Sequence, residues 1–182
     1  MSVFDEVLEV AVEHHGYVTA RQAAEAGIDP TVLRKLVAAG RLERASQGVY
    51  RMPALAGGPR AHFAEAIAWS GGRGVLSHES ALDVLDLCDV NPPRIHLTVP
   101  ATYAPRRAQG ERYRVWRRDL PPADVMDFDG IAVVRPVAAI RECLRHGTDP
   151  TLLRQAIDVA LAEGYLDTPT AEALRLEVRE RV

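Results

Sequence analysis

The side chains best able to do chemistry in this chain are its arginines. There are 21 of them against a single lysine, Lys35, and they are unevenly spread. Residues 1–16 sum to −4, 17–52 to +3, 53–105 to −2, 106–118 to +5 and 119–182 to −5. Two basic islands therefore sit in an acidic background whose net charge is −3, and a local positive field, not the whole-chain sum, is what draws phosphate. In the first island Thr31, Arg34 and Lys35 share one side of a helical stretch, with Thr19, Arg21 and Gln22 before it and Arg44, Ser46, Gln47 and Arg51 after it. Arginine is shaped to grip guanine in the major groove as well as phosphate, and residues at the start of a reading helix reach base edges. These ten residues are the candidate contacts to duplex DNA. The competing reading is a solvated helix face and a hairpin that touches only protein; the localisation of the charge favours DNA.

The second island holds Arg106, Arg107, Arg112, Arg114, Arg117 and Arg118, interleaved with Tyr103, Tyr113 and Trp116. Arginine with aromatic residues is the composition of an interface hot spot for an acidic partner, while the same letters describe an edge strand kept soluble by charge. Catalysis and metal binding find little to stand on. His14 and His15 end a helix, His96 alternates outward on a strand, and His62, His78 and His146 stand alone without partners at ligand spacing. Ser77-His78-Glu79-Ser80 reads as a serine N-cap followed by an acidic residue at the positive end of a helix, not as a nucleophile with its base. Asp119, Asp124, Asp127 and Asp129 lack calcium-loop spacing and read as a solvated turn. Cys88 and Cys143 are far apart and form no C-x-x-C pair. The expectation is a protein that is not an enzyme, with no catalytic residues, metal site or cofactor.

The elements that position the first island follow from periodicity and caps. Residues 2–15 read as a helix with Ser2 at its N-cap, 19–26 as a short helix capped by Thr19, and 29–39 as a third helix opened by Asp29-Pro30 and burying Leu33, Leu36 and Val37. Two short strands, 41–45 and 49–51, then flank a polar turn containing Gly48. Three helices followed by a hairpin make a winged helix-turn-helix over 1–52. Residues 53–60 carry two prolines and two adjacent glycines and read as a linker. The remainder, 61–182, is expected to be a small mixed α/β domain, with helices at 61–70, 77–87, 136–146, 150–163 and 168–181 and strands at 95–99, 113–117 and 131–134. The whole is of the α+β class. Apolar runs are too short to cross a bilayer and the N-terminus is acidic where a secretory signal would be basic, so a cytoplasmic protein is expected.

The stretch HGYVTARQAAEAGIDPTVLRKLVAAGRLERASQGVYRMP resembles the N-terminal winged-helix domain of AbiEi-like antitoxins of bacterial type IV toxin-antitoxin (abortive infection) systems. LSHESALDVLDL, IHLTVP and YRVWRRDLPPADVMDFDGIAVVRPVAAIRECL look like actinobacterial members, so the likeness covers nearly the whole chain. One departure is Ala139-Ile140-Arg141, where an arginine-threonine pair is the family's pattern. What the resemblance implies is a repressor that binds an inverted repeat in its own promoter through the winged helix, two copies to one operator. Its C-terminal domain would oppose a nucleotidyltransferase-like toxin. Two alternatives stay open: a free-standing regulator whose C-terminal domain binds a ligand or another copy of itself, and a nuclease relic without catalysis. Against the last, no acidic-plus-lysine nuclease motif can be built around Lys35, the only lysine.

Overall fold

The computed structural model describes residues 2–105 and 110–181. Helix α1 (Val3–Glu13) starts where Ser2 and Asp5 close a capping box: the Asp5 N–H donates to Ser2 Oγ at 3.2 Å and the Ser2 N–H to Asp5 Oδ2 at 2.8 Å. Each bond satisfies a donor that the helix itself leaves unpaired. The chain reverses through His15 and Gly16, both left-handed, into strand β1 (Tyr17–Thr19). Glycine is needed at 16, because a Cβ there would lie 2.5 Å from the backbone nitrogen of Ala56. A second capping box, Thr19 with Gln22, opens α2 (Ala20–Glu25). Helix α3 (Pro30–Ala38) begins at Asp29, whose carboxylate accepts the Thr31 N–H at 2.8 Å, and Pro30 occupies a first-turn position where no N–H is required.

Strands β2 (Glu43–Ser46) and β3 (Val49–Arg51) form the wing, joined through Gln47 and Gly48. Strand β3 pairs antiparallel with both β2 and β1, giving the sheet order β1-β3-β2. The winged helix-turn-helix is present, and β1 adds a third strand that the sequence reading did not contain. Its core joins Val7, Val18, Ile28, Leu33, Leu42 and Tyr50. The chain then turns back on itself: the Met52 N–H donates to the Gly16 carbonyl at 2.7 Å, and the Leu55 N–H to the Met52 carbonyl at 3.0 Å.

The rest of the chain runs α4 (Ala61–Trp69), β4 (Val75–Leu76), α5 (His78–Val84), β5 (Ile95–Val99), β6 (Tyr113–Arg117), β7 (Val125–Phe128), β8 (Ile131–Val134), α6 (Pro136–His146), α7 (Pro150–Ala162) and α8 (Thr168–Glu180). The mixed sheet has the order β6-β5-β4-β8-β7, parallel at β5/β6 and β4/β8 and antiparallel elsewhere. Strands β4 and β7 are additions to the three expected. The aspartates read as a solvated turn include the β7–β8 hairpin: Asp129 and Gly130 are both left-handed, as a two-residue hairpin turn requires, and Asp127 Oδ1 accepts the Gly130 N–H at 3.0 Å.

Both faces of this sheet are covered. Tyr113 of β6 packs on Trp69 of α4, ring centroids 4.4 Å apart, and Trp116, on the opposite face of the same strand, stacks on His78 of α5 at 4.2 Å. A third, smaller hydrophobic cluster of Tyr17, Val49, Ala64 and Ala68 joins the wing sheet to α4. Beside it His15 Nε2 donates to the Asp129 carbonyl at 2.6 Å. Among the described residues no helix is long and apolar enough to cross a membrane.

Candidate nucleic-acid interface

Helix α3 buries Leu33 completely and keeps Leu36 and Val37 half-buried, which forces Thr31, Arg34, Lys35 and Ala38 to the exposed side. The wing brings Arg44 across from it, so that Arg34 and Arg44 line one open groove of about 400 Å³ together with Ala20, Pro30, Val37 and Tyr50. Neither of these arginines nor Lys35 has a carboxylate within ion-pair distance among the described residues. Exposed cations that no protein anion neutralises can pair with DNA phosphates and release the counterions condensed on the duplex. Gln47 is exposed at the wing tip.

The other residues of the first island have tasks inside the fold. Thr19 is 1% exposed, and its hydroxyl accepts the Gln22 N–H at 3.1 Å while donating to Gln22 Oε1 at 2.9 Å. These two side chains build the start of α2, which sets the angle of α3 behind it. Arg21 is exposed but pairs with Glu25 at 3.0 Å, and Arg51 pairs with Glu43 across the wing at 2.9 Å. Ser46 Oγ is buried without a hydrogen-bond partner, turned away from the surface. Arg41 lies over the Phe4 ring, 4.0 Å from its centroid, tying the end of α3 to α1.

The second island is taken apart by strand alternation. Arg106 and Arg107 lie outside the described residues. Arg112 reaches Glu65 of α4 at 3.0 Å. Arg114 and Arg117 are exposed on opposite faces of β6, with Arg114 lying 4.8 Å from the Trp116 ring centroid. Trp116 is half-buried between that guanidinium and His78. Arg118 pairs with Glu142 of α6, a carboxylate only 2% exposed.

Around Trp116 and Glu142 lies a cluster that sequence reasoning missed. His96 does not alternate outward: it is 4% exposed, and His78, His146 and Trp116 surround it at centroid distances of 5.6, 6.1 and 6.1 Å. His78 and His146 therefore do not stand alone, since their rings meet edge-on at 5.8 Å. Ser77 makes no side-chain cap; the start of α5 is held by Glu142, whose Oε2 accepts the His78 N–H at 3.0 Å. No catalytic triad results, because Ser77 Oγ and Glu142 Oε2 both approach the same ring nitrogen, His78 Nδ1, at 3.1 and 3.4 Å. Burial, with the neighbouring imidazoles and Arg118 and Arg145, holds His78 down to about 3, and burial likewise takes His96 to about 4, so both are neutral near pH 7. The described residues contain no group of histidine, cysteine or acidic side chains placed to hold a metal. The signal available in the sequence was the repeated histidine beside a strand and at a helix start, which only the covering of both sheet faces turns into a cluster.

A family profile described as a transcriptional regulator, AbiEi antitoxin, matches residues 5–53. No curated protein matches the chain. Among solved structures, the crystal structure of the RV2827C protein from Mycobacterium tuberculosis aligns with 96% of this chain and 81% of that one, at 16% identity and a TM-score of 0.41.

Proposed function

We propose that this DNA-binding regulator represses its own toxin-antitoxin operon and counteracts a nucleotidyltransferase-like toxin, a reading supported by the match of residues 5–53 to the family profile of AbiEi antitoxin transcriptional regulators. The observation that carries the DNA-binding half is the groove between α3 and the wing, which Arg34 and Arg44 line without a carboxylate at ion-pair distance among the described residues. In this reading Arg34 and Thr31 meet base edges, while Lys35, Arg44 and Gln47 meet the backbone. A single winged helix reads few base pairs, so two copies occupy an inverted repeat at a spacing of about one helical turn, roughly 34 Å, or a multiple. The functional division follows the chain: 1–52 reads DNA, 53–60 connects, and 61–182 opposes the toxin through the exposed arginines of β6, Arg114 and Arg117. Regulators of this kind work without catalysis, and no cofactor enters the scheme.

The test is a mobility-shift and footprint assay on the chain's own promoter, paired with co-expression of the neighbouring gene product while growth is scored. Paired footprints lost in an Arg34→Ala, Arg44→Ala variant, together with rescue of growth by the wild type, are the expected results. A single unpaired footprint at saturating protein overturns the two-copy arrangement, and failure to rescue overturns the antitoxin half. The cavity beside Glu142 favours a second reading, a regulator whose C-terminal unit responds to a ligand.

A further inference from the structure

The polar cluster of the C-terminal sheet does nothing for DNA reading, and as a packing device it is a poor choice. Two buried imidazoles, His78 and His96, and the buried Glu142 carboxylate, with the exposed His146 above them, stand where apolar side chains would fill the same space without desolvating a charge or a polar atom, which is costly unless each group is fully compensated. The compensation here is incomplete. His96 Nδ1 and Trp116 Nε1 are buried with no hydrogen-bond partner, whereas a purely structural network satisfies its members. His78 also holds a left-handed backbone, φ +51°, which a residue with a Cβ adopts only when its surroundings impose it.

The charge at the cluster is unbalanced in one direction. Alternation puts His96 of β5 with Arg114, Trp116 and Arg118 on one face, and α6 adds Glu142, Arg145 and His146 from above. Glu142 is matched by Arg118, and Glu79 nearby is occupied by the Thr148 hydroxyl at 2.8 Å. Arg145 and Arg114 are left without a carboxylate at ion-pair distance among the described residues. Arg145 lines an open cavity of about 450 Å³ together with His78, Trp116, Arg118, Glu142 and His146, and Arg114 lies behind its Trp116 wall. That volume falls within the range of small-ligand sites, roughly 300–1,000 Å³. A cation is disfavoured by the surrounding guanidinium groups. What is missing is negative charge carried on several acceptor oxygens.

We propose that this cavity binds the phosphate monoester of a small phosphorylated ligand, with Arg145 and His146 holding the anion at the rim and Arg118, fixed by Glu142, offering its remaining donors from below. A phosphate monoester supplies three terminal oxygens and up to two charges, matching a guanidinium fork and imidazole donors better than a carboxylate does. Trp116, sandwiched between His78 and Arg114, forms a wall of the site and reports on it. The proposal is independent of operator binding; it shares Arg114 with the toxin-facing surface, but neither its ligand nor its test involves the toxin.

Calorimetric titration of the full chain with AMP, adenosine, inorganic phosphate and a dinucleotide with or without a 5′-phosphate tests it. AMP and inorganic phosphate should bind saturably and adenosine should not. Equal affinity for AMP and the 5′-phosphorylated dinucleotide assigns a free small molecule as the ligand; markedly tighter binding of the dinucleotide assigns a nucleic-acid end. Arg145→Ala and His146→Ala, both at exposed positions, should each weaken AMP binding by roughly tenfold, the size of one charge-assisted hydrogen bond. Arg154→Ala, an exposed cation on α7, should leave it unchanged. Absence of saturable binding by any phosphorylated probe up to about 10 mM, a limit corresponding to only ~2.7 kcal/mol, overturns the proposal. So does binding that Arg145→Ala and His146→Ala both leave intact.

Discussion

Salt should dissect the reading face quantitatively. Three cations per chain, Arg34, Lys35 and Arg44, stand exposed near the groove without an acidic partner among the described residues. In the proposed reading Lys35 and Arg44 neutralise phosphates; each one releases counterions and contributes about −0.9 to the slope of log affinity against log salt, so two bound chains should show a slope of about −4. Between 50 and 200 mM salt that slope means a roughly 10²-fold loss of affinity. The Arg34→Ala, Lys35→Ala variant keeps only Arg44 in each chain; its slope should shrink to about −2 and its loss over the same range to roughly tenfold, and discrimination against an altered operator should drop by about 1 to 3 kcal/mol. If Arg34 grips a phosphate instead of a base, the wild-type slope steepens by about 0.9 per chain, to about −5, and that discrimination is kept. Fluorescence anisotropy of a labelled promoter duplex, repeated across a salt series for both proteins, measures all of this. A slope that the double substitution leaves unchanged would refute the assignment of α3 as the reading helix.

His78 and His96 resist protonation to about 3 and about 4 in the fold, while the unfolded chain takes up protons on them below about 6.5; stability should therefore fall as pH drops from 7 to 5. Halved for solvent screening, the pair accounts for about 2 kcal/mol, a melting temperature roughly 4 to 8 °C lower, and a flat profile would contradict it. Gly130→Ala places a Cβ 2.3 Å from the Glu13 carbonyl oxygen at a left-handed position, and denaturant titration should show a loss on the order of 1 to 3 kcal/mol. Arg114→Glu with Arg117→Glu should weaken rescue from the toxin in a growth assay while operator shifts stay near wild type, because both residues lie outside the winged helix.

What the sequence made legible was whatever is encoded within a few residues. Ser2, Thr19 and Asp29-Pro30 announce α1, α2 and α3 locally, and all three caps form, with Asp5 and Gln22 closing the first two into capping boxes. Strand β1 was missed because it has only three residues and gains its identity from β3, which lies some thirty residues away. His96 was placed outward because IHLTV alternates, and alternation points the polar residues to water only when one sheet face is bare; here α4 and α5 cover one face each, and four of the five residues are buried. Glu142 carries no local mark at all. Its role at the start of α5 depends on a contact 64 residues distant in sequence, which no short-range rule contains.

The seam of Tyr17, Val49, Ala64 and Ala68 has a bearing on genome search. A reading head on a slack tether can reach half-sites at many separations, at the expense of holding none firmly. Here the wing sheet lies directly on α4, and the His15 bond to Asp129 latches the same side, so the head is aimed by the body of the protein. In the proposed arrangement of two chains on one operator, the pair would behave as a caliper with fixed jaws. Lengthening the spacer by half a helical turn rotates the second half-site to the far side of the duplex, where neither jaw can follow without prising Ala64 and Ala68 from the sheet.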